Sequence, residues 1–132
     1  MEVGTGGILA NCITNIPLSS GFYKHGMVVN FNEPVSQFGI NENVVGQYGI
    51  VSQETAREMA AAVRRLHETS VGVGLVGVME SDEQGQKMGT IMIGIDNGAH
   101  NYAFSKNYPG TRMQIKQRAA IAALFELRKI ML

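Results

Sequence analysis

A single cysteine, Cys12, is all the thiol chemistry this chain has. No internal disulfide can form, which fits a reducing compartment and makes the cytoplasm the expected location. No run of ~18 apolar residues is present, so nothing reads as membrane-spanning and no membrane partner is expected. The start does not read as a signal peptide, because Glu2 and the glycines Gly4, Gly6 and Gly7 break any apolar stretch. An excess of charge of one sign is also missing. Eleven basic and eleven acidic side chains cancel, which argues against a nucleic-acid partner, since such proteins need a basic face. His25, His67 and His100 lie far apart in sequence with no ligand spacing, so neither a metal site nor a cofactor is expected.

What the chain does have is apolar mass. Apolar residues make up 45% of 132 residues against 17% charged, enough for one globular domain, 1–132, with a real core. Its most informative stretch comes at the start. Gly4-Thr5-Gly6-Gly7 runs into the apolar segment Ile8–Ile13, which reads as a turn aimed at a short helix. Glycines permit positive φ and close approach of a ligand, and a helix start offers unpaired N–H groups to a phosphate. Neither Ser nor Cys precedes the turn; Val3 and Gly4 stand there.

Further along, Ser19-Ser20-Gly21 reads as a turn and Gly26–Phe31 as a strand. Pro34 leads a short helix over Val35–Phe38, stopped at Gly39. Ser52 is a good N-cap for a helix from Gln53 to about Thr69, whose Ala56, Met59, Ala60, Val63 and Leu66 recur at helical spacing. Val71–Met79, Met88–Ile95 and Ala99–Ser105 read as strands, the last two joined by the hairpin signal Asp96-Asn97-Gly98. Thr111 caps a final helix reaching Leu132, with Ile115, Ala119, Ala122, Ala123, Leu127 and Ile130 as its buried stripe. That order predicts an α/β or α+β fold with helices on a mixed sheet. Cys12 reads as a buried packing residue, and Glu80, Asp82 and Glu83 as a solvated acidic loop. Arg112, at the start of the last helix, is placed to clamp a phosphate. Asn32 and Glu33 leave a strand end, where ligands collect in open α/β sheets.

Taken in order, these segments resemble the C-terminal domain of the competence/damage-inducible protein CinA, whose stand-alone PncC members are nicotinamide-nucleotide amidohydrolases. The family's Ala-Glu-Ser-Cys-Thr-Gly-Gly is similar to Met1-Glu2-Val3-Gly4-Thr5-Gly6-Gly7. Its Val-Pro-Gly-Ser-Ser-Ala-Trp-Phe resembles Ile16–Tyr23, and its Gly-Phe-Val-Thr-Tyr-Ser-Asn-Glu-Ala-Lys resembles Gly26–Val35. Gly49–Glu54, Met88–Ile91 and Tyr108–Arg112 match later motifs. The resemblance covers essentially the whole chain and implies a three-layer α/β/α sandwich around a mixed sheet. It also implies that the family's usual helix and first strand ahead of the opening motif are lacking here.

The departures fall on the positions the resemblance marks as reactive. Val3 replaces the family's nucleophilic Ser, Val35 its activating Lys, and Val76 the Thr of a Gly- and Pro-rich loop. Covalent amide hydrolysis needs an activated nucleophile and a base, and valine is neither. The expectation is a degenerate domain without amidohydrolase activity that keeps a cradle for a phosphate-bearing nucleotide. That cradle consists of Thr5, Gly6, Gly7, Asn32, Glu33, Gly110 and Arg112. The alternatives are an active nicotinamide mononucleotide amidohydrolase, with Thr5 in the catalytic role, and a pure protein-interaction module. A homo-oligomer is expected, because only Met1–Gly4 are available for a strand that the resemblance places inside the sheet.

Overall fold

A computed structural model of the chain describes residues 1–30, 34–83 and 85–132. Among the described residues five strands form one mixed sheet in the order β2-β1-β3-β4-β5. β1 (Glu2–Val3), β2 (Val28–Val29) and β3 (Gly72–Gly77) are mutually parallel. β4 (Thr90–Asp96) and β5 (Asn101–Asn107) extend the sheet in antiparallel fashion. The hairpin joining β4 to β5 forms where the sequence places it. Asp96 Oδ1 accepts from the Gly98 N–H at 2.7 Å and Asn97 Oδ1 from the His100 N–H at 2.7 Å, which closes the turn.

Among the described residues four α-helices cover the two faces: α1 (Ile8–Thr14), α2 (Glu42–Tyr48), α3 (Gln53–Leu66) and α4 (Arg112–Met131). α1 and α4 lie on one face. There Leu75 and the alternating Ile91, Ile93 and Ile95 meet Leu9, Ile115, Ala119 and Ala123. Each fully buried isoleucine contributes about 1.5–3 kcal/mol relative to exposure. On the opposite face Val76 and Val29 meet Met59, Ala62 and Val63 of α3, with Val45 of α2 at the margin. The architecture is therefore the three-layer α/β/α sandwich that the resemblance implies.

α3 begins where the sequence predicts, with Ser52 Oγ accepting from the Thr55 N–H at 3.0 Å, but it ends at Leu66, and Leu66 itself is 53% exposed. The helix stops because Glu68 turns the chain back at φ 51°. α3 sits unusually close to the sheet. A Cβ at Gly94 would collide with the Ala56 carbonyl, so only glycine admits this approach. α2 has no apolar period long enough to announce it. It is held instead by Asn41, whose side chain accepts from the Asn43 N–H at 2.9 Å. Within the Gly26–Phe31 segment only Val28 and Val29 are strand, Phe31 lying outside the described residues. The segment over Val35–Phe38 is a 3-10 turn, as is Ser19–Gly21. Cys12 is half-buried against the α1/α4 core.

One charged cluster is built into the α4 layer. Glu126, 2% exposed, holds Lys106 of β5 at 3.1 Å and Lys129 at 2.6 Å. Burial alone would raise its pKa, but the two ammonium groups outweigh that and hold it below the usual carboxylate value.

Candidate functional site

The glycine-rich turn leaves β1 at the carboxyl end of the parallel strands, the end at which open α/β sheets collect ligands. Gly4 (φ 80°), Gly6 (φ 69°) and Gly7 (φ 91°) all adopt the left-handed conformation. At Gly4 a side chain would also strike the carbonyl of Gly77 at the end of β3. The turn can therefore pass under the neighbouring strand only with glycine there.

The turn faces the start of α4 across a shallow pocket of about 450 Å³, lined by Thr5, Gly6, Gly7 and Asn11 on one side and Arg112 and Lys116 on the other. Lys116 stands over the turn, and a Cβ built on Gly6 would come within 3.4 Å of its Nζ. Neither the Gly6 nor the Gly7 N–H has an acceptor among the described residues. Arg112 forms an ion pair with Glu80, both side chains being largely exposed. The chemistry on offer is two cations beside free backbone N–H groups, a combination suited to an oxyanion.

Four of the residues named from sequence, Thr5, Gly6, Gly7 and Arg112, are thus brought together. Gly110 is not in the pocket wall. At φ 131° it turns the chain into α4 with no room for a side chain beside Gln114. Asn32 and Glu33 lie outside the described residues. Lys116 and Asn11 were missed, although Lys116 is four residues after Arg112 and so shares its helix face. The acidic loop supplies Glu80 as the partner of Arg112, a pairing that sequence spacing does not reveal.

Thr5 is not available as a free hydroxyl. It is 1% exposed and donates to Glu2 Oε1 at 2.7 Å. Glu2, 4% exposed, also accepts from the Leu9 N–H at 3.0 Å and the Ala10 N–H at 2.9 Å. The first turn of α1 is therefore already occupied by the chain's own carboxylate. The anion pocket rests on Gly6, Gly7, Arg112 and Lys116, not on the end of α1.

Val3, Val35 and Val76, distant in sequence, meet in the apolar cluster under α3. Val76 is 1% exposed, with Val3 and Val35 half-buried beside it. At the opposite end of the sheet, His25 and His67 do come together despite their separation in sequence. Their rings stack with centroids 3.9 Å apart. Burial, the neighbouring His25 and the chain's amino terminus all lower the pKa of His67. Among the described residues no group of three His, Cys, Asp or Glu side chains could hold a metal, and no helix is long and apolar enough to cross a membrane.

Comparison with known proteins agrees with this fold. The CinA C-terminal domain model matches residues 1–131. A CinA-like protein of Gemmatimonas aurantiaca is 33% identical over 131 residues, covering 97% of this chain and 31% of the relative. The chain thus spans about a third of the length of such curated relatives. Among solved structures, a CinA superfamily protein from Enterobacter cloacae superposes with a TM-score of 0.89 at 25% identity, covering 96% of this chain and 76% of that one. The competence damage-inducible protein A of Klebsiella pneumoniae gives 0.90 at 21% identity, covering 97% and 81%.

Proposed function

This chain belongs to the CinA C-terminal domain family, and we propose that it is a member without amidohydrolase activity that binds a phosphate-bearing nucleotide. The carrying observation is the meeting of Val3, Val35 and Val76 in one apolar cluster. The positions that the family resemblance marks as nucleophile, activating base and polar loop are all filled by hydrocarbon, Val76 in the core and Val3 and Val35 packed against it. A single lost group can be replaced by a neighbour, but a hydrophobic cluster offers no proton acceptor and no nucleophile. Thr5, the remaining hydroxyl in the opening motif, is buried and already donates to Glu2. That weighs against the active-enzyme reading with Thr5 as nucleophile.

The retained part is the cationic pocket. Arg112 and Lys116 supply charge, and Gly6 and Gly7 supply amide donors. The Glu80 carboxylate holds Arg112 in place until an incoming phosphate competes for it. Nicotinamide mononucleotide is the probe that the family suggests. Incubation with the purified chain, followed by ammonia detection and calorimetry, should give binding without turnover.

The same chain assembles as a homo-oligomer in this reading. β5 is a seven-residue edge strand, and α4 turns Met113, Ile121 and Phe125 to solvent at 69%, 63% and 57% exposure. Unpaired edges and exposed apolar side chains both favour self-association.

A further inference from the structure

The outer edge of β5 has no partner strand among the described residues. β5 contains neither proline nor glycine. It pairs residue for residue with β4, so no bulge twists the edge away. Which of its backbone groups are free follows from the two ends of the β4–β5 ladder. The Tyr108 N–H donates to the Gly89 carbonyl at 2.9 Å, and the Asn97 N–H donates to the His100 carbonyl at 3.1 Å. Hydrogen-bonded and non-bonded pairs alternate along an antiparallel ladder. Tyr102, Phe104 and Lys106 therefore turn their N–H and C=O groups toward β4. Asn101, Ala103, Ser105 and Asn107 turn theirs outward, to the free edge.

This edge is complementary to itself. An antiparallel copy with the two-fold axis at Phe104 sets Ala103 against the partner's Ser105 and Asn101 against the partner's Asn107. Each such pair exchanges both of its N–H···O bonds, so every outward group finds a partner. Moving the axis to Ala103 or Ser105 leaves one end of the strand overhanging.

The side chains agree with the same register. Phe104 packs against the α1/α4 core and Lys106 reaches Glu126 of α4 at 3.1 Å, so the even-numbered residues share the α4 face. Across the axis, Phe104 meets the partner's Phe104 as a close non-bonded pair, and Lys106 meets the partner's Tyr102. No like charges are opposed, and the Lys106 ammonium is already balanced by Glu126. The opposite face sets a small side chain against a small one and an amide against an amide. The Lys129 Nζ lies 5.8 Å from the Phe104 ring centroid and 5.3 Å from that of Phe125. Phe125, 57% exposed, thus borders the edge and extends the apolar contact into the helix layer.

We infer that β5 is the assembly interface: two copies pair antiparallel through this strand, about a two-fold axis at Phe104, into one continuous sheet. The inference rests on the homo-oligomer reading above and names the surface, the register and the partner, a second copy of the chain.

The test uses light scattering on the 132-residue chain and two variants. Ser105→Pro removes an outward N–H without touching the β4 ladder, so the fold should survive, as read by circular dichroism. Its self-association should weaken about a hundredfold or more. Phe104→Cys, in a Cys12→Ala background, places two thiols on the axis. The roughly 4.5 Å Cα spacing of a non-bonded pair suits a disulfide, so mild oxidation should yield a covalent dimer. A folded Ser105→Pro chain that assembles like the parent would overturn the inference and leave the homo-oligomer reading standing. An assembling parent whose Phe104→Cys variant forms no covalent dimer would do the same. A monomeric parent chain would overturn both.

Discussion

Glu2 and Thr5 form a closed pair inside the fold. The Thr5 hydroxyl donates to Glu2 Oε1 at 2.7 Å, and the same carboxylate accepts the Leu9 and Ala10 amides that open α1. One acidic side chain in a two-residue strand thereby fixes both the glycine-rich turn and the helix behind it. Glu2→Ala leaves two buried donors and a partly buried one without their acceptor, a buried orphan costing about 1–3 kcal/mol. Partial relaxation of the turn makes a total loss of about 2–4 kcal/mol the expected outcome by urea unfolding. A loss under ~0.5 kcal/mol would show that Glu2 is not the anchor of α1. The isosteric Glu2→Gln keeps acceptor capacity and should fall between.

Three groups contribute to the pH dependence of stability in the 132-residue chain. Burial lowers the pKa of the Met1 amino group from 8.0 to about 6, with Glu2 opposing the shift. The unfolded chain therefore binds the additional proton between these values, and stability present above pH 8 is lost as pH falls toward 6. Two pH units correspond to about 2–3 kcal/mol. Burial and the neighbouring His25 lower the pKa of His67, so its contribution is lost as pH falls below 6.5. Glu126 contributes stability above the ordinary carboxylate pKa, lost as pH falls through its lowered native value. Urea midpoints measured from pH 9 to pH 3 should fall through an upper range set by Met1 and His67 and a lower one set by Glu126. Acetylation of the amino terminus should shrink the upper fall and leave the lower one unchanged. A flat profile between pH 8 and pH 6 would contradict the buried amine.

The anion pocket predicts a graded response to charge removal. Calorimetry with nicotinamide mononucleotide should show Arg112→Ala weakening binding about tenfold to a hundredfold, and Lys116→Ala less. Glu80→Gln frees Arg112 from its competitor and should tighten binding. Affinity unchanged in both cation variants would place the nucleotide elsewhere.

Assembly is tested by light scattering after size-exclusion chromatography. The edge of β5 and the exposed Met113, Ile121 and Phe125 of α4 predict a dimer or larger closed assembly. A stable 14.3 kDa monomer at tens of micromolar would refute this.

Sequence patterns reached the long-period parts of this molecule well, for physical reasons. α3 and α4 carry caps at Ser52 and Thr111 and buried stripes spanning several turns. The β4–β5 hairpin carries a turn that few other conformations tolerate. Short elements were less legible. α2 is seven residues long and is fixed by Asn41 and tertiary packing, and β2 keeps only Val28 and Val29 among the described residues of its stretch. At the site, Thr5–Gly7 and Arg112 were legible because glycine clusters and helix starts advertise themselves. The occupation of the α1 amides by Glu2 was not, because that contact depends on how β1 enters the sheet. The pairing of His25 with His67 likewise exists only after residues 42 positions apart in sequence are folded together.

The central claim is that apolar packing has replaced catalysis at Val3, Val35 and Val76. Ammonia release from nicotinamide mononucleotide, assayed beside an active member of the family at matched concentration, tests it most directly. The account predicts release at the no-protein background rate, unchanged by Thr5→Ala. Turnover within tenfold of the active relative, abolished by Thr5→Ala, would contradict it.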